Sequence, residues 1–171
     1  MPPVSENKTV YFARSLLPFL TTLAMVLAGV MVWPVPFLGA ITPSFGLVAV
    51  YYWSIHRPDL FRPVIVFIFG LLNDILHFYP IGLTAVIYLI IYQLSFSQRR
   101  FFAGQIFYML WFGFIVAAAI NLVIVWIILS LNNHAIVPLS SVLTQFIFTI
   151  ILFPFPAWLL IRLQRLFLSK E

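Results

Sequence analysis

The sequence predicts an all-α integral membrane protein: six transmembrane helices in a single domain, with both ends in the cytoplasm. Three observations predict it. Hydrophobic residues make up 64% of the chain and charged ones only 8%, against roughly 25% charged in soluble domains. The apolar residues fall into six runs separated by short turns rich in Pro, Gly, Asn or Arg. Finally, the alternation those runs impose collects every basic residue on one side of the membrane.

Taken in order, residues 1–14 form a polar leader with Lys8 and Arg14, and the first span covers 15–33, about the ~20 residues a bilayer crossing needs. It is long and lacks a small-residue cleavage site, so it reads as a retained helix and not a secretory signal. Trp33-Pro34-Val35-Pro36 ends it. The second span, 42–55, is expected to start at Pro43 and to finish in Tyr51, Tyr52 and Trp53, read as an interfacial aromatic belt. A charged loop bounded by Pro58 and Pro63 carries Arg57, Asp59 and Arg62. The third span covers 64–79, Pro80-Ile81-Gly82 turns the chain, and the fourth covers 83–96. Arg99 and Arg100 occupy the next loop, 97–103; the fifth span is 104–131. Asn132-Asn133-His134 is a polar turn, and the sixth span, 139–161, is expected to bend at Pro154 and Pro156. The tail 162–171 interleaves Arg162, Arg165 and Lys170 with Leu and Phe, a pattern for a short amphipathic helix on the inner leaflet.

With the N-terminus inside, the termini and the second and fourth loops hold all nine Lys and Arg residues, and the three outer turns hold none. That is a complete positive-inside bias. The net charge of +5 is therefore topological and does not point to nucleic acid. The chain has no Cys, which excludes disulfides, thiol catalysis, Cys-ligated metals and a lipoprotein anchor. No segment between the spans is long enough to fold as an extramembrane domain.

One residue stands out against this background. Asp74 is the sole acidic residue inside an expected span, where an ionised Asp costs roughly 2.5–3.5 kcal/mol near a helix centre. It lies about 8 Å in from the outer end of the third helix, at about 1.5 Å rise per residue. His77 at i+3 shares its face, Asn73 adjoins it, and Asn121 and Gln145 on the fifth and sixth helices fall near the same depth. No Lys or Arg lies in any span. Three arrangements would offset the cost: a neutral acid, hydrogen bonds within the cluster Asn73, Asp74, His77, Asn121 and Gln145, or a polar group on another protein. One carboxyl and one imidazole without a third ligand, and without a nucleophile beside a base, predict neither a metal site nor catalysis. Gly70 is placed to let a neighbouring helix approach closely, and Gly82 to close the Pro80 turn. Arg57 and Arg62 read as membrane-surface anchors or as a docking edge for a cytoplasmic partner or lipid phosphate.

These residues also carry a resemblance. The short second helix ending in tyrosines and Arg57-Pro58, then Gly70-Leu71-Leu72-Asn73-Asp74-Ile75-Leu76, Pro80 and Gly82, are similar to the Gly-Leu-x-x-Asp-x-x and Pro-x-Gly pattern of the MreD family of bacterial rod shape-determining proteins. Residue by residue, Arg57, Pro58, Gly70, Asp74, Pro80 and Gly82 match that pattern. The resemblance implies a multi-pass protein of the bacterial inner membrane, without catalytic activity or cofactor. It would be a scaffold of the cell-elongation complex that directs peptidoglycan synthesis. Its implied partner is the periplasmic protein MreC and, through it, the actin-like MreB, the glycosyltransferase RodA and a penicillin-binding transpeptidase. The family's fold is thought similar to the substrate-binding component of energy-coupling-factor transporters. That similarity supplies an alternative expectation: a membrane subunit binding a small, vitamin-like molecule in a polar cavity around Asp74, Asn121 and Gln145.

Overall fold

Among the described residues the six apolar runs become seven helices, because the last is split just ahead of Pro154. The computed structural model describes residues 8–31, 33–35, 39–102, 107–132 and 138–168. Among these, the helices are α1 (Lys8–Val30), α2 (Phe45–His56), α3 (Pro63–His77), α4 (Leu83–Phe102), α5 (Phe107–Asn132), α6 (Leu139–Leu152) and α7 (Pro154–Leu168). A short antiparallel hairpin joins α1 to α2, with β1 (Trp33–Val35) paired to β2 (Gly39–Ile41) and Val35 opposite Gly39. Apart from this hairpin of two three-residue strands, the described elements are helices, as the expected all-α class requires. The expected turn Asn133–His134 and the residues after Leu168 lie outside the described residues.

The α2 helix holds the centre. Residues Gly46 to Ile55 are all buried, as expected for a helix that is apolar on every side. It packs against α1, α4, α5 and α7. The reading of Tyr51, Tyr52 and Trp53 as an interfacial belt is corrected: all three are buried. Their polar tips are met from three other helices, which is what buried aromatic donors need. Tyr51 Oη donates to the Leu110 carbonyl (3.0 Å), Tyr52 Oη to Gln164 Oε1, and Trp53 Nε1 to Thr21 Oγ1 (3.0 Å).

The helix ends also differ from expectation for local reasons. Pro43 lies outside α2, which starts at Phe45 with Ser44 as its N-cap residue. The α4 helix runs on to Phe102, so most of the expected loop 97–103 is helix. Gln and Arg are good helix formers, and nothing at 97–100 breaks the run. The α7 helix continues unbroken through Arg162 to Leu168, where a separate tail was expected.

The break near Pro154 has a traceable cause. Proline has no N–H to give the carbonyl four residues back. The freed carbonyl of Ile150 instead accepts from Trp111 Nε1 at 3.2 Å. The axes of α6 and α7 meet there at 41°. Phe153 sits at the break, fully buried and stacked on Phe114 with centroids 4.2 Å apart. By length and composition α5 is long and apolar enough to cross a membrane alone, and the bent pair α6–α7 is a second candidate; α3 is a shorter apolar helix.

Candidate functional site

Helices α3 and α4 form a tight hairpin, and Asp74 governs both sides of its turn. Pro63 opens α3 at the first helical position, where a missing N–H costs nothing. The helix stops in a Schellman arrangement. Tyr79 N–H donates to the Asp74 carbonyl (2.9 Å) and Phe78 N–H to that of Ile75 (3.4 Å). The residue that takes the left-handed conformation there is Phe78, with φ 55°, where L-residues carry a strain of about 1–2 kcal/mol. Its side chain is 95% exposed. Pro80 and Gly82 then complete the turn, Gly82 at φ 97°.

The side chain of Asp74 starts the next helix. Its Oδ2 accepts from Gly82 N–H at 2.9 Å and its Oδ1 from Thr84 N–H at 2.8 Å. These are amides at the N-terminal end of α4, whose first turn has no intrahelical acceptors. Asp74 therefore acts as a capping residue borrowed from the preceding helix. Its main chain closes α3 and its side chain opens α4.

This arrangement answers the energetic question the sequence raises. Asp74 is 0% exposed, and among the described residues no Lys or Arg pairs with it. The positive end of the α4 dipole and two directed N–H groups take that role. Hydrogen bonds to charged groups contribute about 1.5–3 kcal/mol each, so two offset the insertion cost. Full burial also leaves Asp74 no surface to offer another protein.

Gly70 secures the same hairpin one turn below. A Cβ at this position would lie 2.3 Å from Ala85 Cα and 2.7 Å from Ala85 N. The two backbones touch there, and only glycine permits it.

The other four residues of the expected cluster do not bond to Asp74. Asn73, His77, Asn121 and Gln145 line a small polar cavity beside it, with Ser44 and Tyr88. Its volume is about 20 Å³, room for about one water molecule. Asn73 Nδ2 donates to Thr84 Oγ1 (3.4 Å), and His77 Nδ1–H donates to the Asn73 carbonyl of its own helix (3.0 Å). Gln145 serves a different joint. Its Nε2 donates to the Thr42 carbonyl (2.8 Å) and Ser44 Oγ (3.3 Å), while Ser44 N–H donates to Thr149 Oγ1 (3.1 Å). The start of α2 is thus clasped by α6. Thr84, Ser44 and Thr149 are partners that sequence reasoning missed. An acid six residues ahead of a Pro-x-Gly turn was the available signal for the first of them.

The loop after α2 is compact. Arg57 N–H donates to the Trp53 carbonyl (2.9 Å), and Leu60 and Phe61 N–H donate back to the Arg57 carbonyl. Pro58 and Phe61 are buried, whereas Asp59 and Arg62 are exposed and Arg57 is half-buried. Among the described residues no ion pair joins the three charged side chains.

The chemistry this arrangement supports is cohesive. Among the described residues, no three His, Cys, Asp or Glu side chains converge on a metal position. The polar cavity is also more than tenfold smaller than the roughly 300–1,000 Å³ of small-molecule sites. A family model described as rod shape-determining protein MreD matches residues 10–163 of the 171-residue chain. No curated protein and no solved structure matches the chain, so the expected likeness to transporter substrate-binding components has no support among solved structures.

Proposed function

This chain belongs to the MreD family of rod shape-determining membrane proteins, and from that premise we propose that it is a non-enzymatic, multi-pass scaffold of the bacterial inner membrane. It holds an MreC-like partner and, through it, helps to locate peptidoglycan synthesis during elongation. The observation that carries this reading is the disposition of Asp74. The one acidic side chain among the apolar helices is fully buried and bonded to the chain's own amides, so it stiffens a hairpin and is not free to react. The exterior supports the same reading. Large apolar side chains such as Ile75, Phe78, Ile81, Phe112 and Phe155 face outward, a surface suited to lipid and to other membrane helices. The one-sided distribution of Lys and Arg supports six crossings with both ends inside, counting α6–α7 as one bent span.

The test is rescue and recovery in one strain. In rod-shaped cells depleted of their own copy, the tagged protein should restore the rod form. It should also retain an MreC-like partner on detergent purification. Rod form without the protein, or purification with no such partner, would contradict the scaffold reading.

A further inference from the structure

An open groove of about 550 Å³ lies between α4 and α5. Two features on its walls are unusual together. On α5, Gly113 and Ala117 line it four residues apart, so they share one helix face. This is the small-xxx-small spacing that lets a second helix backbone come close. Facing them on α4 is Ser95, only 3% exposed, whose hydroxyl makes no hydrogen bond among the described residues. A comparable serine, Ser54 in α2, does bond the carbonyl four residues back. Every fully enclosed side-chain N or O among the described residues has a partner. The Ser95 hydroxyl therefore keeps its last sliver of surface, and Ser95 lines the groove. Gln98 stands exposed at the rim, one turn along.

We propose that this groove seats one transmembrane helix of a partner protein, with a small residue against Gly113 and a hydrogen-bonding group against Ser95. A lipid acyl chain would fill the apolar walls of Phe112 and Val116, but it has nothing to offer a hydroxyl within hydrocarbon. A helix meets both requirements. The proposal rests on the scaffold reading and adds where the partner's membrane helix sits.

The absence of cysteine in the chain makes the test direct. Single cysteines at Phe112 or Val116 in the full-length protein are paired with a cysteine scan along the membrane helix of the co-purifying MreC-like partner. Oxidation in intact membranes should give disulfide cross-links recurring every three to four partner residues. A cysteine at exposed Phe155 on α7 should give none. Gly113→Leu, which fills the notch, should lower partner recovery about tenfold, and Ser95→Ala by a smaller factor. Cross-links at Phe155 but not at Phe112 or Val116 would overturn the proposal while leaving the scaffold reading intact. So would undiminished recovery with Gly113→Leu. If Gly113→Leu does not accumulate, the cross-link pattern decides alone. Failure of the wild-type protein to retain any partner would overturn both.

Discussion

Asp74→Ala is expected to lower the thermal midpoint of the detergent-purified protein by many degrees and to cut recovery of the proposed MreC-like partner. The change leaves the buried Thr84 N–H and the half-buried Gly82 N–H without acceptors. An orphaned buried donor costs about 1–3 kcal/mol, and two are lost together with the charge that faced the α4 dipole. Asp74→Asn should fall between the two, because its carboxamide keeps one acceptor and turns an NH2 group towards the other amide. The partner effect is indirect. Asp74 touches no outside surface, so lost binding should track loosening of the α3–α4 hairpin and recover when the hairpin is stabilised elsewhere. A variant with wild-type stability but no partner would show that Asp74 acts on the partner itself. Fluorescence-detected melting alongside quantitative co-purification separates the two.

Gly70→Ala should be nearly as damaging, although it adds a single methyl group. Overpacking typically costs about 1–3 kcal/mol, and here the added carbon would sit 2.3 Å from Ala85 Cα. Main chain cannot rotate out of the way as a side-chain tip can. It follows that trimming the neighbour, Gly70→Ala with Ala85→Gly, should restore little stability, since the Ala85 Cα and N contacts remain. Recovery of wild-type melting by that double variant would mean the helices meet through side chains.

Much of this was legible in the residues. The apolar runs and their punctuation marked most helix positions, because Pro and Gly impose backbone limits that neighbours cannot override. The unusual cost of Asp74 singled it out, and the spacing to Pro80 and Gly82 placed it beside a turn. What it bonds was not legible. The expected partners were side chains, Asn73, His77, Asn121 and Gln145, because residue types are visible in a sequence and free main-chain amides are not. Which N–H groups a turn leaves open depends on its backbone path, here set by Phe78 and Gly82 at positive φ. The aromatic run Tyr51-Tyr52-Trp53 misled for a related reason. Amphipathic aromatics suit a membrane interface and a satisfied core equally well, and only the donors' partners on α1, α5 and α7 distinguish them. The fate of Arg99 and Arg100 turned on charge being read as a loop signal, although Arg favours helix.

The α3–α4 hairpin links these local facts to shape determination. A stiff pair of helices beside the central α2 fixes where α4 stands, and α4 forms one wall of the groove at Ser95 and Gln98. Loosening the cap at Gly82 should therefore be felt some 18 Å away along α4, at about 1.5 Å per residue from Leu83 to Ser95.

The most direct test is amide hydrogen exchange over residues 80–86 in lipid nanodiscs, comparing the wild type with Asp74→Ala. If the Asp74 carboxyl holds the start of α4, exchange at Gly82 and Thr84 should quicken at least about tenfold, the equivalent of about 1.4 kcal/mol, while α5 stays unchanged. Equal exchange in the two proteins would contradict the account.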